Sequence, residues 1–340
     1  GIINIVLKEN KFAGLNGNVN TGGDSQGGTN LSGQLNYRTT SFNSFINLGM
    51  NERKRISSGN SLRTMDFAAF SNRLDQVSES NSGGPNLFVK TGFEYFIDPS
   101  QSLAISTTIS NGNRTSDGTT STIDSGPGDR KFIRTTSGNN DRNGYDVNLN
   151  YDKKFKNPKQ KLTTYARFSD GINDGLDEYY NTDNGGVDYV NLDRAANGQD
   201  GTSSGYDFKL DYIHPFNEGS KLEVGFASKS TDRGDSQIAE IFNEATNTFV
   251  SDREFSNEFE YNETVHAAYL QYGGSIGFFG INAGGRYEIV DMFSELKTTN
   301  EKFKNPYSSF YPSLSVTFGA PQLLQIQTSY SKRVNRPRSR

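Results

Sequence analysis

The chain has 340 residues, of which 32% are hydrophobic, and a mean hydropathy of −0.72 argues against a large dry core. Its 35 basic and 39 acidic residues leave a net charge of −4, which excludes the strongly basic surface of a nucleic-acid-binding protein. The absence of cysteine excludes disulfides and thiolate chemistry, and the two histidines leave little material for histidine-based catalysis.

Apolar and polar residues alternate in one segment after another along the chain. This period of two predicts roughly thirteen strands, at 12–21, 29–39, 42–53, 86–97, 102–114, 144–155, 162–175, 205–216, 221–232, 261–276, 280–294, 308–318 and 323–334. Most of these segments are about ten residues or longer, whereas strands of soluble proteins average about five or six. A tilted strand needs about nine to eleven residues to cross a bilayer, so the lengths favour a transmembrane sheet.

The strand at 205–216 shows what the two faces of the sheet carry. One face has Tyr206, Phe208, Leu210 and Tyr212, and the other has Asp207, Lys209 and Asp211. Because removing a charge from water is costly, the charged face must meet water. We expect the ring-bearing face to meet lipid.

The connectors between the predicted strands alternate in length. Short connectors lie at 39–41, 98–101, 156–161, 217–220, 277–280 and 319–322, and long polar ones at 54–85, 115–143, 176–204 and 233–260. All short turns therefore share one edge of the sheet, as in transmembrane barrels with short periplasmic turns and long extracellular loops. A soluble β-sandwich is the alternative, but it has shorter strands and no reason to sort its loops by edge.

Two acidic segments, 170–178 and 193–201, raise the question of a calcium site. The residues are Asp170, Asn173, Asp174, Asp177 and Glu178 in the first segment, and Asp193 and Asp200 in the second. Neither group keeps the spacing of an EF-hand loop. We interpret them as solvated loop carboxylates, and the sequence predicts no metal and no cofactor.

Three consecutive basic residues, Arg53, Lys54 and Arg55, stand at the outer end of the third predicted strand. At the outer end of a strand they could meet anionic lipopolysaccharide or an anionic ligand. A solvated strand end is the simpler interpretation of such a charge run. The sequence alone assigns no substrate-binding residue.

No set of residues has the spacing of a catalytic site. Asp207 and Asp211 share one face of a strand, but repeated charges on a water-facing wall explain them. His214 stands beside Pro215 at a strand end, and no spacing joins a serine, His214 or His266, and an aspartate. The sequence therefore predicts no catalytic residue.

Three segments resemble a known family. The opening GIINIVLKENKFAGLNGNVNTGG resembles the junction between plug and barrel in TonB-dependent outer-membrane receptors. YNETVHAAYLQYGGSIGFFGINAGGRYE, and SSFYPSLSVTF with LLQIQTSYSKRVNRPRSR, resemble barrel segments of the Bacteroidetes-type outer-membrane β-barrel family within that group. The resemblance implies a barrel of about 22 strands closed by a plug domain. It also implies that residues 1–10 end the plug and residues 11–340 form the N-terminal part of the barrel, so that the sequence is a fragment.

We therefore predict an all-β chain that forms part of an antiparallel up-and-down transmembrane β-barrel in the outer membrane of a Gram-negative bacterium. The resemblance implies a TonB-dependent receptor, not an enzyme, that takes up a nutrient with energy from the inner membrane. Its expected partners are outer-membrane lipid and lipopolysaccharide, the TonB complex and an extracellular nutrient ligand. The alternatives are a passive outer-membrane channel or barrel enzyme, and a secreted adhesin-like β-protein.

Overall fold

The computed structural model describes residues 14–66, 71–125, 130–183, 194–320 and 324–334. The strands of this part of the chain are β1 (Gly14–Gly23), β2 (Thr29–Arg38), β3 (Phe42–Asp66), β4 (Ser71–Asp98), β5 (Gln101–Ser125), β6 (Arg130–Lys154), β7 (Lys161–Asp183), β8 (Arg194–Asn217), β9 (Ser220–Asn243), β10 (Thr248–Ser251), β11 (Asn257–Ile276), β12 (Phe279–Leu296), β13 (Glu301–Lys304), β14 (Tyr307–Ala320) and β15 (Leu324–Ser331). Across the same residues, no helix is long and apolar enough to cross a membrane. The plug segment predicted at 1–10 lies outside the described residues.

All fifteen strands belong to one antiparallel sheet. Its main series runs in chain order through β1 to β9, β11, β12, β14 and β15, while β10 pairs with β9 and β13 with β12. Each strand of the main series pairs with its neighbour in the chain, which is the up-and-down arrangement. The predicted fold class and the prediction of roughly thirteen long strands are confirmed. Within the described residues no pairing joins β1 to β15.

Strands β3 to β9 are much longer than predicted, at 23 to 28 residues each. The prediction of long loops at 54–85, 115–143, 176–204 and 233–260 is wrong, because most of these residues continue the strand ladders. Ser57, for example, pairs with Ser80, and the two hydroxyl oxygens lie 2.8 Å apart. These segments are rich in Ser, Thr and Asn on both faces, so no apolar period marks them as strands.

Short turns close one edge of the sheet at the predicted positions 39–41, 98–101, 156–161, 217–220 and 277–280, and the turn predicted at 319–322 lies partly outside the described residues. Asp98 Oδ1 accepts hydrogen bonds from the hydroxyl and the backbone N–H of Ser100, at 2.6 and 2.7 Å. These bonds, the hydroxyl first, lower the pKa of the Asp98 carboxyl below its usual range. Asn217 Oδ1 accepts the N–H of Gly219 at 2.9 Å in the turn between β8 and β9. Side chains that bond to the backbone two residues later stabilise such tight turns.

One face of the sheet presents apolar side chains that nothing in the described chain covers. Leu210 stands opposite Phe226 in the register of β8 and β9, and the two side chains are 37% and 40% exposed. On β5 and β6, Ile105 stands opposite Leu149 in the same way. A contiguous apolar surface of this extent is unfavourable in water and is expected to meet an apolar environment.

The opposite face is polar, and many of its charges pair with one another. Lys209 Nζ lies 3.0 Å from Asp207 Oδ2. Farther along the sheet, Arg286 Nε lies 2.6 Å from Glu288 Oε1. Such pairs reduce the local charge of a surface without removing its affinity for water. The division between rings and charges predicted for 205–216 therefore extends across the sheet.

Candidate functional site

Four arginines from three strands line one depression, of about 250 Å³, on the polar face of the sheet. Arg53 and Arg55 come from β3, Arg114 from β5 and Arg142 from β6. We call this depression the arginine cleft and define it by these four residues. All four side chains are exposed, so their guanidinium groups are accessible from the polar side.

Strand register brings the four arginines together. Arg53 pairs with Gly84 and Arg55 with Ser82 across the ladder of β3 and β4. In the ladder of β5 and β6, Arg114 pairs with Asn140, and Gly112 with Arg142. The intervening strand β4 places Gly84 and Ser82 between the two groups of arginines, so that only small side chains separate them.

Lys54 does not belong to the cleft, although it stands between Arg53 and Arg55 in the sequence. Successive residues of a strand point to opposite faces. Lys54 therefore lies on the apolar side, where its side chain reaches toward Gly27 in the turn between β1 and β2. The predicted basic run is thus divided, with two arginines on the polar face and one lysine on the apolar face.

The backbone of β4 is irregular where it forms the floor of the cleft. Gly84 has φ of +149°, and a Cβ atom at this position would lie 2.1 Å from the carbonyl oxygen of Asn113. The ladder of β4 and β5 skips Gly84 and Pro85, and proline has no N–H to donate to it. Because Gly84 has no Cβ, the Asn113 carbonyl of β5 can approach β4 closely, and no side chain of residue 84 stands between Arg53 and Arg114.

Neutral oxygens hold two of the arginines in place. Arg114 Nη2 donates to Ser82 Oγ at 3.1 Å. Arg142 Nε donates to the Oδ1 atoms of Asn140 and Asn173 at 3.0 and 2.9 Å. These bonds orient the guanidinium groups but do not neutralise them. In the part of the chain that the structure describes, no carboxylate lies within 4.0 Å of any arginine of the cleft.

The acidic residues predicted to cluster in loops lie on strands instead, which corrects their interpretation as loop carboxylates. On β7 they are divided between the faces, because Asp174 and Asp177 are an odd number of residues apart. Asp174 stands opposite Asp200 on β8, and burial followed by the Asp174 carboxylate raises the pKa of Asp200 above its usual range. Asp193 lies outside the described residues. Across the described ranges, no three His, Asp or Glu side chains form a potential metal site.

The residues considered for catalysis have structural partners. Asp207 pairs with Lys209, and Asp211 Oδ1 accepts a hydrogen bond from the Tyr269 hydroxyl at 2.5 Å. His214 Nδ1 lies 3.2 Å from the hydroxyl of Tyr212, close to the turn between β8 and β9. The contacts of Asp207 and Asp211 agree with the interpretation of these charges as part of a water-facing wall.

Sequence reasoning missed one contact between a serine and a histidine. Ser228 Oγ lies 2.9 Å from His266 Nδ1 on the apolar face, in the register row that contains Phe208 and Ile289. Only the register of β9 and β11 brings these two residues together, so their spacing in the sequence carried no signal. Among the described residues, no carboxylate contacts His266.

A family model described as the outer membrane protein beta-barrel family matches residues 153–340. The chain belongs to this family. The protein is therefore an outer-membrane protein, and the exposed apolar face of its sheet is the face that meets lipid. A comparison with curated protein sequences found no match.

Several solved structures are similar to this outer-membrane barrel protein at low identity. The ferric citrate transporter FecA in its unliganded form is 12% identical, with a TM-score of 0.46 over 89% of this chain and 43% of FecA. The outer membrane protease OmpT from Escherichia coli is 13% identical, with a TM-score of 0.29 over 82% of this chain and 96% of OmpT. BauA, the ferric preacinetobactin receptor from Acinetobacter baumannii, is 9% identical, with a TM-score of 0.28 over 93% of this chain and 61% of BauA. The chain thus spans less than two thirds of FecA and of BauA.

The depth of the arginine cleft follows from the length of β3. Arg53 is the twelfth residue of this strand, counted from Phe42 beside the short turn. About nine to eleven residues of a tilted strand cross the bilayer. The cleft therefore lies just beyond the lipid-facing band, on the side away from the short turns. Short turns of outer-membrane barrels face the periplasm, so we expect the cleft to face the cell exterior.

Cysteine labelling of intact cells tests this orientation. We expect Ser80→Cys, in the outer part of β4, to react with a membrane-impermeant maleimide and Glu218→Cys, in a short turn, to remain unlabelled. Both positions are exposed, so only their side of the membrane distinguishes them. Permeabilised cells should label both variants. Labelling of Glu218→Cys but not Ser80→Cys on intact cells would reverse the orientation.

Proposed function

We propose that this protein forms the barrel wall of an outer-membrane receptor that takes up a nutrient with energy delivered through TonB. The arginine cleft is the observation that carries the proposal. A wall that only separates lipid from water needs paired or neutral polar groups, as in the pair of Lys209 and Asp207. Four arginines at the outer end of the polar face, with no carboxylate partner among the described residues, instead provide a place to capture a solute from outside.

The dependence on TonB is the part of the proposal that comes from resemblance. The opening segment GIINIVLKEN resembles the end of a plug domain in TonB-dependent receptors. We propose that residues 1–10 have this role and that the barrel is of the Bacteroidetes type. Ligand would then bind on the extracellular side, and the plug would transmit the energy for its passage.

We also propose that the protein is not an enzyme. The contact between Ser228 and His266 is the arrangement closest to a nucleophile and base, but it uses the Nδ1 atom of the histidine. Ser228 Oγ also bonds to the Tyr206 hydroxyl at 3.3 Å. This hydroxyl network lies on the apolar face and joins the neighbouring strands β8, β9 and β11. We interpret it as polar packing between these strands.

Nutrient depletion by whole cells tests the proposed function. A strain that lacks the complete gene and the same strain complemented with it are grown in one medium, and mass spectrometry follows the loss of each compound. We expect at least one compound to disappear only from the complemented culture and only while TonB is present. Depletion that persists without TonB would indicate a passive channel. Identical media from both strains would contradict a role in uptake.

A further inference from the structure

We infer that the arginine cleft binds a small solute with two or more carboxylate or phosphate groups. This inference rests on the proposed function for its biological meaning, since it makes the nutrient a polyanion. The binding itself depends only on the arginines and neighbouring residues that line the cleft.

The number and type of basic groups indicate the ligand chemistry. A guanidinium group is planar and presents two parallel N–H donors that match the two oxygens of a carboxylate or phosphate. One such anion satisfies one or two arginines, whereas the cleft contains four. Four positive charges with no carboxylate beside them in the described part of the chain are unfavourable unless water or an anion compensates them. A solute with several anionic groups would compensate them together.

The spacing of the strands sets the distance between the anionic groups. Arg53 and Arg114 lie on β3 and β5, on either side of Gly84 in β4. Adjacent strands are about 4.8 Å apart, so the Cα atoms of these two arginines are about 10 Å apart. Their long side chains can converge over Gly84, where no side chain intervenes. A volume of about 250 Å³ suits a small solute rather than a protein segment.

The direction of the side chains distinguishes a dissolved ligand from a lipid headgroup. Lipopolysaccharide lies on the apolar side of the sheet, which is the side of Lys54. Arg53 and Arg55 point to the opposite, polar side, where a solute travels. Asn86 and Asn140, which also line the cleft, add neutral hydrogen-bonding groups to its wall. Phosphate groups of lipid A share the same chemistry, so the experiment includes them as a competitor.

Calorimetric titration of the complete protein in detergent tests the inference with two defined probes, pyrophosphate and benzene-1,3,5-tricarboxylate. We expect saturable binding of at least one probe that weakens as salt is added. Arg53→Gln and Arg142→Gln should each raise Kd about tenfold or more, because each removes a charge-assisted hydrogen bond. Lys54→Gln is the matched control: it makes the same change of charge on the opposite face and should change Kd less than about twofold.

Three results would overturn the inference. One is the absence of saturable binding of both probes to the unaltered protein. Another is an equal loss of affinity in Arg53→Gln and Lys54→Gln, which would indicate a diffuse electrostatic effect. The third is displacement of the probe by lipid A with the same dependence on Arg53 and Arg142, which would make a lipid headgroup the ligand. Arg53→Lys and Arg142→Lys retain the charge and should bind more tightly than the Gln variants, which separates loss of charge from misfolding.

The binding experiment and the uptake experiment test separate claims, so either can give a negative result while the other is positive. Titration in detergent needs neither TonB nor a living cell, so it can succeed even if transport is passive. Depletion of a neutral compound in the uptake experiment would support the proposed function and contradict the polyanion. If the protein binds the probes but its cells deplete no compound, the binding site is supported and the proposed function is contradicted.

Discussion

Replacing Leu210 by arginine is expected to lower the free energy of unfolding in phospholipid vesicles by about 2 to 4 kcal/mol. Leu210 lies on the apolar face, opposite Phe226, and seven residues before the end of β8 at the short turn. This position lies inside the lipid-facing band of about nine to eleven residues. An arginine there must either leave its charge in hydrocarbon or distort the bilayer to reach water.

The matched control for this substitution is Thr108→Arg on the polar face of β5. Thr108 stands between Lys90 and Asp146 in the register, at a similar distance from its own short turn. The added guanidinium meets water and the Asp146 carboxylate, so we expect a change within about 0.5 kcal/mol. Guanidinium titrations of both variants in the same vesicles provide the comparison. Equal losses at the two positions would contradict the assignment of the apolar face to lipid.

The sequence predicted the lipid-spanning part of the sheet well because its signal is local. Within about ten residues of each short turn, apolar and polar side chains alternate, as they do from Tyr206 to Tyr212. Asp98 and Asn217 also mark their turns through side-chain bonds to nearby backbone groups. Strand number and the position of the short turns depend on these local features, and both are confirmed.

The outer halves of the strands could not be predicted in the same way. Around the paired residues Ser57 and Ser80, for example, both faces meet water, so polar residues occupy both faces and the period of two disappears. What keeps these segments extended is the continued pairing of each backbone with the next strand. That stabilisation comes from the neighbouring strand rather than from the segment itself, and composition alone favours a loop.

The arginine cleft was predictable only in part. Arg53 and Arg55 are visible in the sequence as part of a basic run, whereas Arg114 and Arg142 are isolated basic residues in their own segments. Their contribution depends on the registers of three ladders, from β3 to β6, which no short pattern encodes. The division of Lys54 from its neighbours follows from strand alternation, once the ladder is known to continue past the predicted end of β3.

Replacing Gly84 by alanine is expected both to destabilise the protein and to lower the affinity of the arginine cleft for pyrophosphate. At φ of +149° an alanine is strained, and its Cβ would lie 2.1 Å from the Asn113 carbonyl oxygen. Backbone strain of this kind costs about 1 to 3 kcal/mol. The backbone oxygen cannot rotate away as the end of a side chain could, so β5 has to move away from β4. That movement carries Arg114 with it.

Gly59→Ala is the control for this substitution, since Gly59 lies farther out on the polar face of β3. A Cβ atom there would lie 3.4 Å from Ser78 Oγ, which is ordinary contact. We expect Gly59→Ala to leave stability within about 0.5 kcal/mol and to leave pyrophosphate affinity unchanged. Gly84→Ala should lower the unfolding free energy and raise Kd, even though it removes no charge. Unchanged affinity in a destabilised Gly84→Ala protein would show that the close approach of β4 and β5 supports the sheet but does not position Arg114 for binding.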